Sequence, residues 1–210
     1  MRPNLQLALD LVSLDKALHI SEITLPWVDW IEAGTPLVIS EGLKAVKILK
    51  SRFPQKTIVA DIKIADAAKL ITTQAISANA DIITVLSAAS DQSITTCVET
   101  AHQKGVKVLG DHISTQLSID AYHRLAFLGV DYVGIHIPKD SGETLVLSSI
   151  EQLLLSLKIP AVLAGGLNFS ILRQMSGWPV SAFVIGNAIL NHPDPASAAQ
   201  EFAAILNNWF

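Results

Sequence analysis

Residues 57–69 read Thr-Ile-Val-Ala-Asp-Ile-Lys-Ile-Ala-Asp-Ala-Ala-Lys. The apolar run Ile58-Val59-Ala60 has the character of a buried strand, and it ends abruptly in Asp61, Lys63 and Asp66. Side chains alternate along a strand, so Asp61 and Lys63 are expected to point the same way. Asp66 stands where a helical pattern begins with Ala67, Ala68, Leu70 and Ile71. Charge beside a core is costly unless it is paired or used. Two explanations fit these residues: Asp61 pairs with Lys63 while Asp66 caps the helix, or the three charges belong to a site. The rest of the chain bears on the choice, because it keeps placing polar groups at the same end of its strands.

Outward from this stretch, a short apolar strand followed by an amphipathic helix recurs. Predicted strands cover Leu5–Asp10, Trp27–Ala33, Thr57–Asp61, Asp81–Leu86, Val106–Asp111, Asp131–His136, Ile159–Ala164 and Ser181–Gly186. The helices that follow them cover Ser13–Ile23 (Ser13 as cap), Glu41–Arg52 ahead of Pro54, Ala65–Ala78, and Gln92–Lys104, closed by Gly105. The remaining four cover Ser118–Leu128, Thr144–Leu157, Phe169–Met175 and Pro195–Asn208. Eight βα units predict a parallel sheet, and eight is the number that closes a (β/α)8 TIM barrel. Residues 1–210 are read as a single such domain, with a compact repeat of about 26 residues. A doubly wound open sheet fits less well, since no strand-to-helix junction carries Gly-x-Gly-x-x-Gly.

Half of the 210 residues are hydrophobic and 16% are charged, enough for a large core. Each apolar run is far shorter than the roughly 20 residues of a membrane span, so no membrane partner is expected. Met1-Arg2-Pro3-Asn4 leads directly into a strand without a signal-peptide pattern. Cys97 is alone and excludes an intrachain disulfide, which suits a reducing cytoplasm. A net charge of −4 without a dense basic stretch argues against a nucleic-acid partner. So high an apolar fraction also suggests surface covered by another subunit.

In such a barrel the chemistry lies at the C-terminal ends of the strands. Those ends hold Asp10, Glu32 (then Gly34 and Thr35), Asp61 with Lys63, Asp111 with His112, His136, Ala164-Gly165-Gly166, and Gly186-Asn187. Glu32 and Asp61, on adjacent strands, suit Mg²⁺, which takes one or two protein carboxylates beside water and substrate oxygens. Lys63, among Asp10, Asp61 and Asp66, should stay protonated, and so should stabilise an oxyanion or deliver a proton rather than form a Schiff base. Gly165, Gly166 and Gly186 follow strands 7 and 8, where barrels bind phosphate through backbone N–H groups. Tight turns would use the same glycines. Asn187 adds an amide but no charge. His136 at a strand end suits proton transfer near neutral pH. His112 reads as a neighbour of the site, and Cys97 as packing.

Leu-Ala-Leu-Asp (7–10), Ile-Glu-Ala-Gly-Thr-Pro (31–36), Ala-Asp-Ile-Lys-Ile-Ala-Asp-Ala (60–67), Ala-Asp-Ile-Ile-Thr-Val (80–85) and Ala-Gly-Gly-Leu (164–167) together resemble the orotidine 5′-phosphate decarboxylase superfamily. The resemblance spans nearly the whole chain. It is to the branch that contains 3-hexulose-6-phosphate synthase and 3-keto-L-gulonate 6-phosphate decarboxylase. It implies a homodimer with active sites at the interface, Mg²⁺, and a phosphorylated ketose reacting through a cis-enediolate. By motif position Glu32 and Asp61 match the metal ligands, Lys63 with Asp66 the charged network, and His136 the proton-transfer group; Asp10 and Asp111 are expected to be catalytic beside them. Asp66 would come from the partner subunit. Gly166 and Gly186-Asn187 match the phosphate site, and Thr35 and Lys139 fall among the substrate-binding positions.

Within that branch, decarboxylases typically have Glu where Asp111 stands, Thr at Ala164, and Arg at Lys139 and Asn187. The chain resembles the synthases at Asp111, Ala164 and Asn187, and the decarboxylases in the cation at Lys139. The expectation is therefore a lyase condensing formaldehyde with D-ribulose 5-phosphate. Decarboxylation of 3-keto-L-gulonate 6-phosphate to L-xylulose 5-phosphate is the alternative, and a non-catalytic sugar-phosphate-binding barrel the third reading.

Overall fold

The computed structural model describes residues 2–114, 117–136 and 147–209. Eight parallel strands close into a barrel in sequence order, with the first paired to the last. They are β1 (Asn4–Leu9), β2 (Trp30–Ala33), β3 (Thr57–Ile64), β4 (Ile82–Leu86), β5 (Lys107–Ile113), β6 (Tyr132–His136), β7 (Ala161–Ala164) and β8 (Ala182–Ile185). The helices are α1 (Leu14–Thr24), α2 (Thr35–Glu41), α3 (Lys44–Arg52), α4 (Ala68–Ser77), α5 (Asp91–His102), α6 (Ile119–Phe127), α7 (Leu147–Ser156), α8 (Phe169–Gln174), α9 (Asn187–Leu190) and α10 (Pro195–Asn207). The predicted (β/α)8 barrel is the observed fold. Among the described residues no helix is long and apolar enough to cross a membrane.

Local chemistry sets most boundaries. Ser13, Ser90, Ser118, Asn168 and Asp194 each accept the backbone N–H three residues on, fixing the starts of α1, α5, α6, α8 and α10. Four expectations need correction. The helix predicted over 41–52 starts at Lys44 instead, and a separate helix not expected from the sequence, α2, lies ahead of it and is ended by Gly42 at φ +64°. Asp66 does not cap α4; the residue before that helix is Ala67, left-handed at φ +50° and without a side-chain cap. Strands β3 and β5 run on past Asp61 and Asp111, to Ile64 and Ile113. The segment after β8 forms the short helix α9, where a turn is expected from the sequence.

Both faces of the strands are buried, each in its own core. Outward residues such as Ile58, Ala60, Ile83 and Val108 pack under the helices. Trp30, Val59, Ile82, Leu109, Val162 and Ala182, with Tyr132 and Val184 against them, fill the lower barrel interior. Trp30 meets Tyr132 edge-on at 5.4 Å between ring centres. Two residues further along the same strands the inward positions turn polar: Glu32 above Trp30, Asp61 above Val59, Thr84 above Ile82, Asp111 above Leu109. An apolar plug with a polar layer over it follows from the two-residue period of a strand.

At the opposite end, three aspartates repeat one device about every 50 residues. Asp29, Asp81 and Asp131 accept the backbone N–H of Leu5, Ile58 and Val108 at 2.8, 2.7 and 2.8 Å. Each returns its own N–H to the carbonyl of that same residue at 2.9 Å. Arg2, Lys50 and His102 pair with the three carboxylates. Each clamp fixes the register of an odd-numbered strand on the next even one, and satisfies an N–H that would otherwise lack a partner. Asp81→Ala should therefore cost about 1–3 kcal/mol, read as a lower urea midpoint, with Asp81→Asn losing less. An unchanged midpoint in the alanine variant would refute the clamp.

Candidate active site

A cavity of about 410 Å³ opens at the C-terminal end of the barrel. Its wall includes Asp10, Glu32, Thr35, Asp61, Lys63, Asp111, His136, Ala164, Gly165, Gly166, Gly186 and Asn187. All but Asp66 and Lys139 of the residues expected to act in catalysis, metal binding or substrate binding thus converge on one site. Asp66 is exposed and does not line this cavity. Lys139 lies outside the described residues.

Asp61 and Lys63 form an ion pair, as the alternation of a strand predicts. They reach it through a distorted backbone, since Lys63 is left-handed at φ +46° and the register of β3 on β4 shifts between Ala60 and Ile64. The Lys63 ammonium also donates to Thr35 Oγ1 at 2.8 Å and lies 4.0 Å from Asp111 Oδ2. That same Asp111 oxygen is 3.4 Å from His136 Nδ1. One carboxylate therefore stands between the lysine and the histidine. Thr35 engages Asp61 with its hydroxyl, 2.7 Å from Oδ2, and with its backbone N–H at 3.3 Å. In this structure it supports the ion pair, whereas its motif position implies a contact with substrate.

Burial alone would lower the proton affinity of Lys63, but Asp61, then Asp111 and Glu32, outweigh it and hold the ammonium above its usual range. Burial likewise works against the Asp61 carboxylate; Lys63, Thr35 and Thr84 reverse the effect and leave it below the ordinary value. Glu32 has weaker support. Burial first, then the charges of Asp61 and Asp10, push its carboxyl well above the usual range. Gln6 Nε2 donates to Glu32 Oε2 at 2.5 Å, which offsets part of this, and the more distant Lys63 offsets a little more.

Glycines make room for the carboxylates. A Cβ on Gly34 would lie 2.4 Å from Asp10 Oδ1 and 2.9 Å from the Leu9 carbonyl. A Cβ on Gly134 would lie 3.0 Å from Asp111 Oδ1. Gly165 and Gly166 take φ +98° and +64°, a conformation that favours glycine and lets the chain turn sharply over the cavity.

Two residues of the site were missed from the sequence. Gln6 and Thr84 are buried mid-strand, one on β1 beside Glu32 and one on β4 beside Asp61. Their signal was a polar residue at an inward position just below a strand end. His112 lies 2.8 Å from Ser87 through Nδ1 and edge-on to Tyr122, away from the cavity wall, as a neighbour of the site should. Cys97 is buried in α5, as packing requires.

The donors present fit a hard divalent cation. Among the described residues no three His, Cys, Asp or Glu side chains are grouped as a full protein cage. Mg²⁺ does not ask for one, taking one or two carboxylates and completing its shell with water and substrate. The poorly compensated negative charge at Glu32, beside Asp61 and Asp10, is what such a cation would neutralise.

A model of the orotidine 5′-phosphate decarboxylase / HUMPS family matches residues 3–202. The chain belongs to that family. It is 33% identical over 207 residues to the 3-hexulose-6-phosphate synthase of Staphylococcus epidermidis, covering 96% of this chain and 98% of that one. A crystal structure of 3-hexulose-6-phosphate synthase superposes with a TM-score of 0.92 at 31% identity, covering 97% of this chain and 99% of the other. KGPDC from Streptococcus mutans, crystallised with a ligand, superposes with a TM-score of 0.92 at 27% identity and 99% coverage of both chains. The resemblance read from the sequence, to the branch holding these enzymes, is the family found.

Glu32 supplies a pH test with a defined sign. A carboxyl whose folded-state affinity for a proton is raised contributes stability below the ordinary carboxylate range and loses it as pH rises. In EDTA, Glu32→Gln should melt higher than wild type at pH 8 by about 2–4 °C per kcal/mol relieved, with the gap closing toward pH 4. Mg²⁺ should raise the melting temperature of wild type and leave that of Glu32→Gln nearly unchanged. Equal responses of the two proteins to Mg²⁺ would remove Glu32 from the metal site.

Proposed function

We propose that the chain is an aldehyde-lyase that condenses formaldehyde with D-ribulose 5-phosphate, reversibly, to give a 3-hexulose 6-phosphate. The observation that carries this reading is the line Lys63–Asp111–His136 beside Ala164, in a chain about a third identical to proteins named 3-hexulose-6-phosphate synthase. Asp111, Ala164 and Asn187 are the residues that resemble the synthases rather than the decarboxylases.

The residues divide the work along the cavity. The backbone of Gly165, Gly166 and Gly186, with the Asn187 amide, receives the phosphate, and the sugar's carbonyl end lies over Glu32, Asp61 and Lys63. Asp111 and His136, in contact with each other, take the proton from C1, which leaves an enediolate. The Lys63 ammonium, kept charged by its three carboxylate neighbours, stabilises the oxygen that gains negative charge. C1 then attacks the carbon of formaldehyde; a C–C bond forms, the formaldehyde C=O π bond breaks, and its oxygen takes up a proton. The short side chains of Asp111 and Ala164 leave space beside C1 for the aldehyde. Members of this branch are metal-dependent, and Glu32 and Asp61 would hold the ion, which we take to be Mg²⁺. When bound, it supplies Lewis-acid polarisation of the ketose carbonyl and charge for the enediolate.

We further propose a cytoplasmic homodimer in which Asp66 serves the partner's site. Its exposed position, outside the cavity but only three residues beyond Lys63, supports that assignment.

The deciding assay pairs two substrates with Mg²⁺, before and after EDTA. Formaldehyde with ribulose 5-phosphate should give a far higher kcat/KM than 3-keto-L-gulonate 6-phosphate. The opposite preference would reassign the chain as a decarboxylase, and silence in both arms would point to another sugar phosphate or to a binding protein. Lys63→Ala should lower kcat by about 10²–10³ with an unchanged far-UV spectrum. Mixing Lys63→Ala with Asp66→Ala subunits should restore up to about a quarter of wild-type activity, since a mixed dimer has one intact site. No recovery on mixing would return Asp66 to its own subunit.

A further inference from the structure

The β3–β4 ladder carries an irregularity directly under the ion pair. Val59 and Ala60 stand opposite Ile82 and Ile83, and pairing resumes only at Ile64 opposite Val85. Asp61, Ile62 and Lys63 therefore share a single opposing residue, Thr84. In such a bulge the extra residues lose their ladder partners. Lys63 also holds a left-handed conformation, at φ +46°, that an L-residue with a long side chain rarely adopts. Something must hold it there.

Thr84 does so with one hydroxyl. Its Oγ1 accepts the Lys63 backbone N–H at 2.9 Å. The same oxygen lies 3.0 Å from Asp61 Oδ1. A hydroxyl has a single proton, and an ionised carboxylate can only accept. The direction is thus forced: Lys63 N–H donates to Thr84, and Thr84 O–H donates to Asp61. Only 3% of Thr84 is exposed, so water does not compete freely for either bond. The other Asp61 oxygen is held by Lys63 and Thr35. One buried hydroxyl therefore fixes both the backbone that carries the lysine and the second oxygen of the aspartate.

We propose that Thr84 is a positioning residue: its hydroxyl holds the β3 bulge in the form that presents Asp61 and Lys63 together to the cavity. It touches no reacting atom and acts through those two side chains. A residue needed only for packing would depend on its methyl group; a residue acting as proposed depends on its hydroxyl. The catalytic half of this inference rests on the aldol-lyase reading, and the backbone half does not.

The test separates the two groups of the side chain. Thr84→Val keeps the shape and removes the hydroxyl, while Thr84→Ser keeps the hydroxyl and removes the methyl. With ribulose 5-phosphate, formaldehyde and Mg²⁺, Thr84→Val should lose about 10- to 100-fold in kcat with KM for the sugar within about threefold. Thr84→Ser should stay within about threefold of wild type in both. Amide hydrogen exchange, followed by NMR without substrate, should speed up at Lys63 in Thr84→Val by at least tenfold, remain slow in Thr84→Ser, and be unchanged at Ala60 in both. Should Thr84→Val not fold, Thr84→Cys replaces it, since a thiol is only a weak donor and acceptor. The reverse pattern, with the serine variant impaired and the valine variant normal, would overturn the proposal. So would faster exchange at Lys63 with an unchanged kcat. Wild-type protein inactive on both substrates would sink the aldol-lyase reading instead, and the exchange comparison alone would then decide whether Thr84 holds the bulge.

Discussion

Too many carboxylates face too few cations at the mouth of this barrel. Asp10, Glu32, Asp61 and Asp111 line the same cavity, and among its described residues Lys63 is the only lysine or arginine. In a low-dielectric interior like charges cannot all ionise without partners. The chain resolves part of this internally. Lys63 satisfies Asp61 and stands near Asp111, and hydroxyls from Thr35 and Thr84 complete the shell of Asp61. What remains falls on Glu32, supported mainly by Gln6 against burial and the charges of its neighbours. A residual deficit of positive charge at a set position is what a bound divalent cation would make good.

The fold was legible because its signal is spread over the whole chain. Eight strand–helix alternations, with serines, asparagine and aspartate at helix starts, leave few other architectures. The site was legible for a related reason. Charged residues at the ends of apolar strands are expensive anywhere but at an active-site face, so Asp10, Glu32, Asp61 and Asp111 announced themselves. Thr84 did not, because threonine is an ordinary strand residue by propensity and its hydroxyl is noticed only once its neighbours are known. Gln6 was hidden in the same way inside β1.

The boundary errors share a cause. Left-handed residues at Gly42 and Ala67 are set by the tertiary path, and Ala67 has no local preference for that conformation. The Asp66 cap failed for that reason, since the chain turns at Ala67 before α4 begins. By local pattern Asp81 and Asp131 read as the first residues of strands. They lie just before them and are spent on the backbone of the previous strand, a long-range role with no signature in local periodicity.

Those aspartates divide the ring unevenly. Carboxylates tie β1 to β2, β3 to β4 and β5 to β6, but the fourth pair, β7 with β8, has Ser181 at the equivalent place, bonded through its backbone to Ala161 and Asn4. The barrel thus has three quarters fastened by a carboxylate and one without, and that quarter carries Gly165, Gly166, Gly186 and Asn187 on its upper rim. A ligand bridging those glycines would act as the missing fastener, tightening the seam from above where the others are pinned from below.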